Sequence, residues 1–247
     1  MGQQRFYCAG KTAATQYAAR ELAQAGVLFV PEPDIAVTGI LLDVPSFRSD
    51  GNLRMGGNVD ALLGAMSNAT IYGGNLGTLP GRTAIDLLKD PLYQAENAYI
   101  TAECALEIAL TRLPRTIRDC PVLIIGWGQI GRCLAKLLGN LGAQVTVSAR
   151  KASDRAICQA LGYTAGEPDF LGPQLDGFQL LFNTVPAPIF TQAQLDRCQS
   201  CVKIELASRQ GLLGEDVVVA RGLPGIHMPE SSGKLIARSC LRLMKEV

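Results

Sequence analysis

Residues 122–151 read VLIIGWGQIGRCLAKLLGNLGAQVTVSARK, and this stretch decides the fold. Val122–Ile125 is a continuous apolar run of the kind that forms a strand buried on both faces. Gly126-Trp127-Gly128-Gln129-Ile130-Gly131 follows without a break. Ile130, Leu134, Leu137, Leu138 and Leu141 then recur at helical spacing, Gly142 ends the helix, and Val145-Thr146-Val147 opens a second strand. Strand, G-x-G-x-x-G, helix and strand in about thirty residues make the βαβ unit that binds a dinucleotide. Gly126 permits the tight turn, Gly128 lets a pyrophosphate approach the backbone, and Gly131 lets helix and strand pack closely. Free N–H groups at the helix start, on Gln129, Ile130 and Gly131, are expected to receive the phosphate charge.

The end of the second strand selects the dinucleotide. An NAD site carries an acidic residue there to hold the ribose 2′-hydroxyl. This chain has Ser148-Ala149-Arg150-Lys151 and no acid. A carboxylate would repel a 2′-phosphate, whereas Ser148, Arg150 and Lys151 offer donors that suit one. NADP(H) is therefore expected ahead of NAD, against the plainer reading of Arg150 and Lys151 as a solvated loop.

Outward from this unit, strands alternate with helices along the chain. The pattern predicts an α/β protein with a Rossmann-type, doubly wound parallel sheet and a smaller α/β N-terminal domain. Strands are expected at 5–9, 27–30, 35–42, 70–73, 180–183 and 202–206. Helices are expected at 15–25, 59–66, 84–88, 101–113, 153–161, 192–198 and 231–247, and a link over 91–98. Residues 217–220 read as helix or strand, and Gly222-Leu223-Pro224-Gly225 as a turn. Ligands of parallel sheets bind outside the strand carboxyl ends. The turns at 126–131, 148–151, 184–188 and 207–211 should therefore line one crevice, with Thr184, Val185, Pro186, Ala207 and Ser208 joining the cofactor contacts.

The 247 residues, 48% hydrophobic and 18% charged, allow one large or two small folded domains. A net charge of +1 without a basic tract argues against nucleic acid as a partner. No apolar segment has membrane-spanning length, and MGQQRFYCAG does not read as a secretion signal. A cytoplasmic protein is expected. The eight cysteines, 8, 104, 120, 133, 158, 198, 201 and 240, read as buried reduced thiols. Cys198 and Cys201 form a C-x-x-C, but no second pair exists and His227 is the only histidine, so no metal site is expected.

The same turns carry a family resemblance. Thr101-Ala102-Glu103, GWGQIGRCLAKLLGNLGAQVTVSAR at 126–150, Asn183-Thr184-Val185-Pro186-Ala187, Leu206-Ala207-Ser208-Arg209 and Gly222-Leu223-Pro224-Gly225, with Pro229 and Gly233 beyond, resemble the A-type subunit of dipicolinate synthase. That family is itself similar to D-2-hydroxyacid dehydrogenases in its nucleotide domain. The resemblance is good over residues 90–247 and poor over 1–90. It implies nicotinamide-dependent oxidation of a dihydrodipicolinate precursor to pyridine-2,6-dicarboxylate during sporulation, and a flavoprotein partner (the B-type subunit); a homo-oligomer is also expected. The pattern along the chain puts the domain change near Ala98: residues 1–97 are expected as a substrate domain, shorter than the family's, 98–232 as the NAD(P)-binding domain, and 233–247 as a helix whose apolar stripe packs back toward the first. Glu230 stands where the family pattern has a lysine; Lys234 is the expected substitute.

Three residues are candidates for the chemistry. Arg209 follows a strand end, and the related dehydrogenases have an arginine at the matching place; its fork of donors would hold a substrate carboxylate. Its bland role is an ion pair with Glu205 or Glu215. Glu103 would orient Arg209 or move a proton, or else serve as a helix-start carboxylate. His227 is a candidate acid or base, although the family pattern has no histidine there. Two further functions stay open: an NADP(H)-sensing or partner-stabilising subunit without turnover, and a D-2-hydroxyacid dehydrogenase of other specificity.

Overall fold

The computed structural model describes residues 3–47, 52–54, 56, 64–79 and 81–246. The chain divides into two compact units, Met1–Ile100 with Pro224–Val247, and Thr101–Leu223. Each contains one fully parallel sheet.

The first unit holds β1 (Arg5–Cys8), α1 (Ala13–Gln24), β2 (Leu28–Val30), β3 (Gly39–Leu41), β4 (Thr70–Gly73) and β5 (Ala84–Asp86), with strand order β2-β1-β3-β4-β5. The order is that of a doubly wound sheet with its switch point between β1 and β3. Both faces are covered. Phe6, Leu41 and Tyr72 meet Leu22, Tyr93 and the final helix on one side; Ile40, Leu42 and Ile71 meet Val37, Leu53 and Met66 on the other. That final helix, Pro229–Leu243, buries Leu235, Ile236, Ala237 and Cys240 in the first core. Each such Leu or Ile contributes about 1.5–3 kcal/mol by leaving water. The approach to α1 is close: a Cβ on Gly233 would sit 2.4 Å from Tyr17 Cβ and 2.6 Å from Ala14 O.

The second unit holds most of α2 (Pro91–Arg112), then β6 (Pro121–Ile125), α3 (Gln129–Asn140), β7 (Gln144–Ser148), α4 (Ala152–Ala160), β8 (Thr164–Gly166), α5 (Pro168–Leu171), β9 (Leu180–Asn183), α6 (Gln192–Leu195), β10 (Val202–Glu205) and β11 (Val217–Val219). Helix α7 (Leu223–His227) runs across the second division point, and the final helix is α8. The strand order β11-β10-β9-β6-β7-β8 is the Rossmann order, with the switch point between β6 and β9. The continuous apolar runs of β6 and β9 are buried, as a sheet covered on both faces requires.

Several local expectations are corrected. Residues 84–86 pair with β4 as a strand and do not form a helix; only a single 3-10 turn, Leu87–Lys89, follows. The link expected at 91–98 is helical, because Pro91 starts α2 and Asp90 Oδ2 accepts from Tyr93 N at 2.8 Å. Gly222–Gly225 is not a plain turn: Gly222 lies at φ +65° and α7 begins at Leu223. Residues 224–232, expected with the nucleotide domain, belong to the first unit, since α8 starts at Pro229 and carries them with it. Thr164–Gly166 adds a strand that periodicity does not reveal. Of the helix expected at 59–66, residues 59–63 lie outside the described residues.

Candidate functional site

The carboxyl ends of the central strands in the second unit form one row. Register pairs Ser148 with Ile125, Ile125 with Asn183, and Asn183 with Glu205. The turns after these strands are tied to one another. Gly126 N donates to Ser148 O at 2.9 Å, and Thr184 donates to Ile125 O through both N, at 2.9 Å, and Oγ1, at 2.8 Å. Asn183 Nδ2 donates to both Glu205 oxygens at 2.9 Å. The four turns expected to line a crevice thus share one sheet edge.

The glycines have separable reasons. Gly126 adopts φ +102°, and a Cβ there would meet Thr184 Oγ1 at 2.4 Å, so both conformation and space demand glycine. A Cβ on Gly131 would lie 2.2 Å from Gly126 O, which measures how closely α3 approaches the loop. Gly128 differs: a Cβ there would meet nothing within 4 Å. It is the N-cap of α3 and supplies no side-chain cap to the first-turn N–H groups, and Gly128 and Gln129 are exposed. Two buried polar atoms of this region, Trp127 Nε1 and Ser148 Oγ, have no hydrogen-bond partner among the described residues. A helix start without a cap, an open cradle and an orphaned hydroxyl at the β7 end fit a dinucleotide with its pyrophosphate on α3.

Arg150 and Lys151 are exposed, and their side chains make no hydrogen bond or ion pair among the described residues. The backbone beneath them is fixed by Arg155, a residue that sequence pattern does not single out. Its Nη1 donates to Ala149 O at 2.9 Å and Arg150 O at 2.7 Å, and its Nη2 pairs with Glu167 at 2.6 Å.

On the other side of the switch point, Pro186 is exposed while Thr184 and Val185 are half-buried. Glu205 is fully buried and does not pair with Arg209. Its oxygens accept instead from Asn183, Ala207 N at 2.9 Å, Gly211 N at 2.7 Å and Leu212 N at 3.0 Å. Ser208, Arg209 and Gln210 are carried outward, and Arg209 makes no side-chain bond or ion pair among the described residues. The one sequence signal for Glu205 is an acid closing the otherwise buried strand VKIE.

The remaining candidates separate. Glu103 is not a helix-start carboxylate. It lies twelve residues beyond Pro91 in α2, half-buried, where the dipole at the first turn has faded. No hydrogen bond joins it to Arg209 among the described residues. His227 is exposed at the end of α7 and belongs to the first unit, whereas Glu103 and Arg209 belong to the second. Lys234, the expected substitute cation, is paired with Glu230 one turn away.

The C-x-x-C is an asymmetric thiol pair. Cys198 Sγ donates to Leu195 O at 3.3 Å and Cys201 Sγ to Val202 O at 3.6 Å; the interaction between the two thiols lowers Cys198 to about 7 and, together with burial, pushes Cys201 up. All eight cysteines are free thiols. Among the described residues no cluster of three His, Cys, Asp or Glu could hold a metal ion, and no helix is long and apolar enough to cross a membrane.

No protein-family model matches the chain. A curated relative, the dipicolinate synthase A-type subunit of Bacillus subtilis, is 27% identical over 195 residues, which is 75% of this chain and 65% of that protein's length. The crystal structure of the dipicolinate synthase A-type subunit from Bacillus halodurans superposes with a TM-score of 0.86 at 21% identity, covering 100% of both chains. A Salmonella D-lactate dehydrogenase shares the fold at a TM-score of 0.58 and 11% identity, over 98% of this chain and 96% of that one. In sequence over three quarters of its length, and in fold over all of it, the chain is similar to the A-type subunit of dipicolinate synthase.

Proposed function

We propose that the chain is an NADP(H)-dependent oxidoreductase of the dipicolinate synthase type, oxidising a dihydrodipicolinate precursor to pyridine-2,6-dicarboxylate. The observation that carries this reading is the row of strand ends in the second unit. At one end it offers a helix start without a cap and an orphaned Ser148 hydroxyl; at the other, an exposed Arg209 that is unpartnered among the described residues. The relatives' names supply the substrate class.

In this reading the first-turn N–H groups of α3 hold the pyrophosphate. Ser148, Arg150 and Lys151 hold the 2′-phosphate, and Arg155 keeps their backbone in place. Thr184, Val185, Pro186, Ala207 and Ser208 flank the nicotinamide, which supplies the hydride chemistry when bound. Arg209 grips a substrate carboxylate through two parallel hydrogen bonds. Glu103 and His227 are the titratable groups offered for proton movement. A flavoprotein partner of the B type, self-association and a cytoplasmic setting belong to the same reading, as do a substrate role for residues 1–97 and a nucleotide role for 98–232.

Turnover with a dihydrodipicolinate precursor and NADP⁺, with and without a flavoprotein partner, tests the reading. Reduction of NADP⁺ that Arg209→Lys abolishes while NADPH binding persists is expected, because an ammonium cannot reproduce the paired fork. Tight NADPH binding with no turnover under either condition would favour a sensing or partner-stabilising role. The Glu230–Lys234 pair supports that second reading, since it occupies the cation offered to a dicarboxylate. Turnover of other D-2-hydroxy acids alone would indicate a dehydrogenase of different specificity.

A further inference from the structure

We infer that Glu205 is a positioning residue whose buried carboxylate locks the loop bearing Arg209 to the turn after β9, so that both meet the substrate as one rigid rim. The inference rests on the proposed role of Arg209 and adds the group that holds it.

Glu205 is fully buried and is met by N–H donors of neutral groups. Lys203, two residues earlier on β10, is committed to Cys201 O and Asp216. A buried charge is costly unless hydrogen bonds replace its water, and here five contacts do so. Every one runs from a donor to the carboxylate. A glutamine would set its own NH2 against one of those N–H groups, so only an acceptor on both atoms fits.

The placement of the donors gives the carboxylate its effect. Ala207 N and Gly211 N reach the same group, so the loop closes around it and residues 208–210 are turned outward. Asn183 links the other side. Its Nδ2 reaches both Glu205 oxygens and, at 3.0 Å, Val185 O, while its Oδ1 accepts from Val185 N at 3.0 Å. Loop and turn also touch directly: a Cβ on Gly211 would lie 2.5 Å from both Ala187 O and Asn183 Nδ2. Ile189 N donates to Gly211 O at 2.8 Å. The backbone around Arg209 is therefore held at both ends of its loop, while the side chain bonds to none of the described residues.

The test compares Glu205→Gln, Arg209→Ala and the double variant by calorimetry with two probes. Pyridine-2,6-dicarboxylate, added with NADPH, reads the rim; 2′,5′-ADP reads the far end of the cofactor site. Glu205→Gln and Arg209→Ala should each lower dicarboxylate affinity about tenfold or more, and the double variant should be no worse than either. Affinity for 2′,5′-ADP should stay within about twofold, since only distant turns hold it. Unchanged dicarboxylate affinity in Glu205→Gln, or losses that add fully in the double variant, would overturn the inference. Should the glutamine variant not fold, Gly211→Ala separates loop from turn by sterics and should give the same pattern; a fully binding Gly211→Ala counts against the rim. If the parent binds no dicarboxylate, the proposed substrate is wrong, and hydrogen exchange still decides the positioning claim. Amide protection at Gly211 and Leu212 should fall on Glu205→Gln, and unchanged protection sinks it.

Discussion

At the carboxyl edge of the first sheet, the chain closes the start of α1 with its own groups. Thr12 caps the helix, and buried Asp43 Oδ1 accepts from Thr12 N at 3.0 Å, Thr12 Oγ1 at 2.9 Å and Thr15 Oγ1 at 2.7 Å. Gly10 beside it has no spare room, since a Cβ would meet Asp43 Oδ1 at 2.7 Å. At the corresponding edge of the second sheet, α3 starts at Gly128 without a cap, with open space where a Cβ would be. Both are βα turns in parallel sheets, and both helix starts favour negative charge. One has an internal anion; the other has none, and its uncapped helix start beside the unpartnered Ser148 hydroxyl is what supports the proposed phosphate site.

The contrast can be broken by giving the second edge its own anion. Gly128→Asp has room for the side chain and normal φ, so the fold should survive. Two like charges about 4 Å apart at an effective dielectric near 20 repel by about 4 kcal/mol, so calorimetry should show NADPH binding nearly abolished. Binding at parental strength would remove α3 as the phosphate site. The reverse change empties the first edge. Asp43→Ala should destabilise the protein by roughly 3 kcal/mol in urea unfolding, because charge-assisted bonds to Thr12 and Thr15 are lost, while NADPH affinity per folded molecule stays. A larger loss of NADPH affinity than of stability would contradict the division of labour.

Smaller changes sharpen the comparison. Arg150→Ala should narrow the preference for NADPH over NADH by roughly 1.5–3 kcal/mol, the scale of a hydrogen bond to a charged group. Equal affinities for the two cofactors in the parent would show that Arg150 and Lys151 are solvent-facing only. One thiol stands apart from the rest. Burial pushes Cys8 up to about 11 and Cys240 up to about 12 in the first unit and Cys104 up to about 11 in the second, whereas Cys198 is lowered to about 7. Thiolate absorbance should therefore rise by one group between about pH 6 and 8, vanish in Cys198→Ser, and be untouched by Cys240→Ser. Folding stability from Cys198 would follow the sign of a depressed acid: present above the unfolded thiol range and lost as pH falls through about 7.

Sequence pattern misleads where a neighbour outvotes it. Ala84–Asp86 carries helix-tolerant residues but is a strand because β4 offers it a pairing edge. Residues 91–98 read as a link when proline is treated as a breaker, yet Asp90 makes Pro91 the first residue of a helix. That one cap relocates Glu103 from a helix start to a helix interior. Arg155 escapes notice in the sequence because reaching two carbonyls and Glu167 is a matter of three-dimensional aim.

What the sequence determined by itself was local. The βαβ unit, the order of its glycines and the absence of an acid at Ser148–Lys151 follow from periodicity and side-chain chemistry over about thirty residues. Tertiary structure alone decided which groups each turn meets. Glu205 gathers donors from Asn183, Ala207, Gly211 and Leu212, which only the pairing of β9 with β10 brings together. Asp43 reaches Thr12 and Thr15 because β3 lies beside β1. Hydrogen bonds act over about 3 Å in space and are blind to separation along the chain, so the residue types were legible and their partners were not.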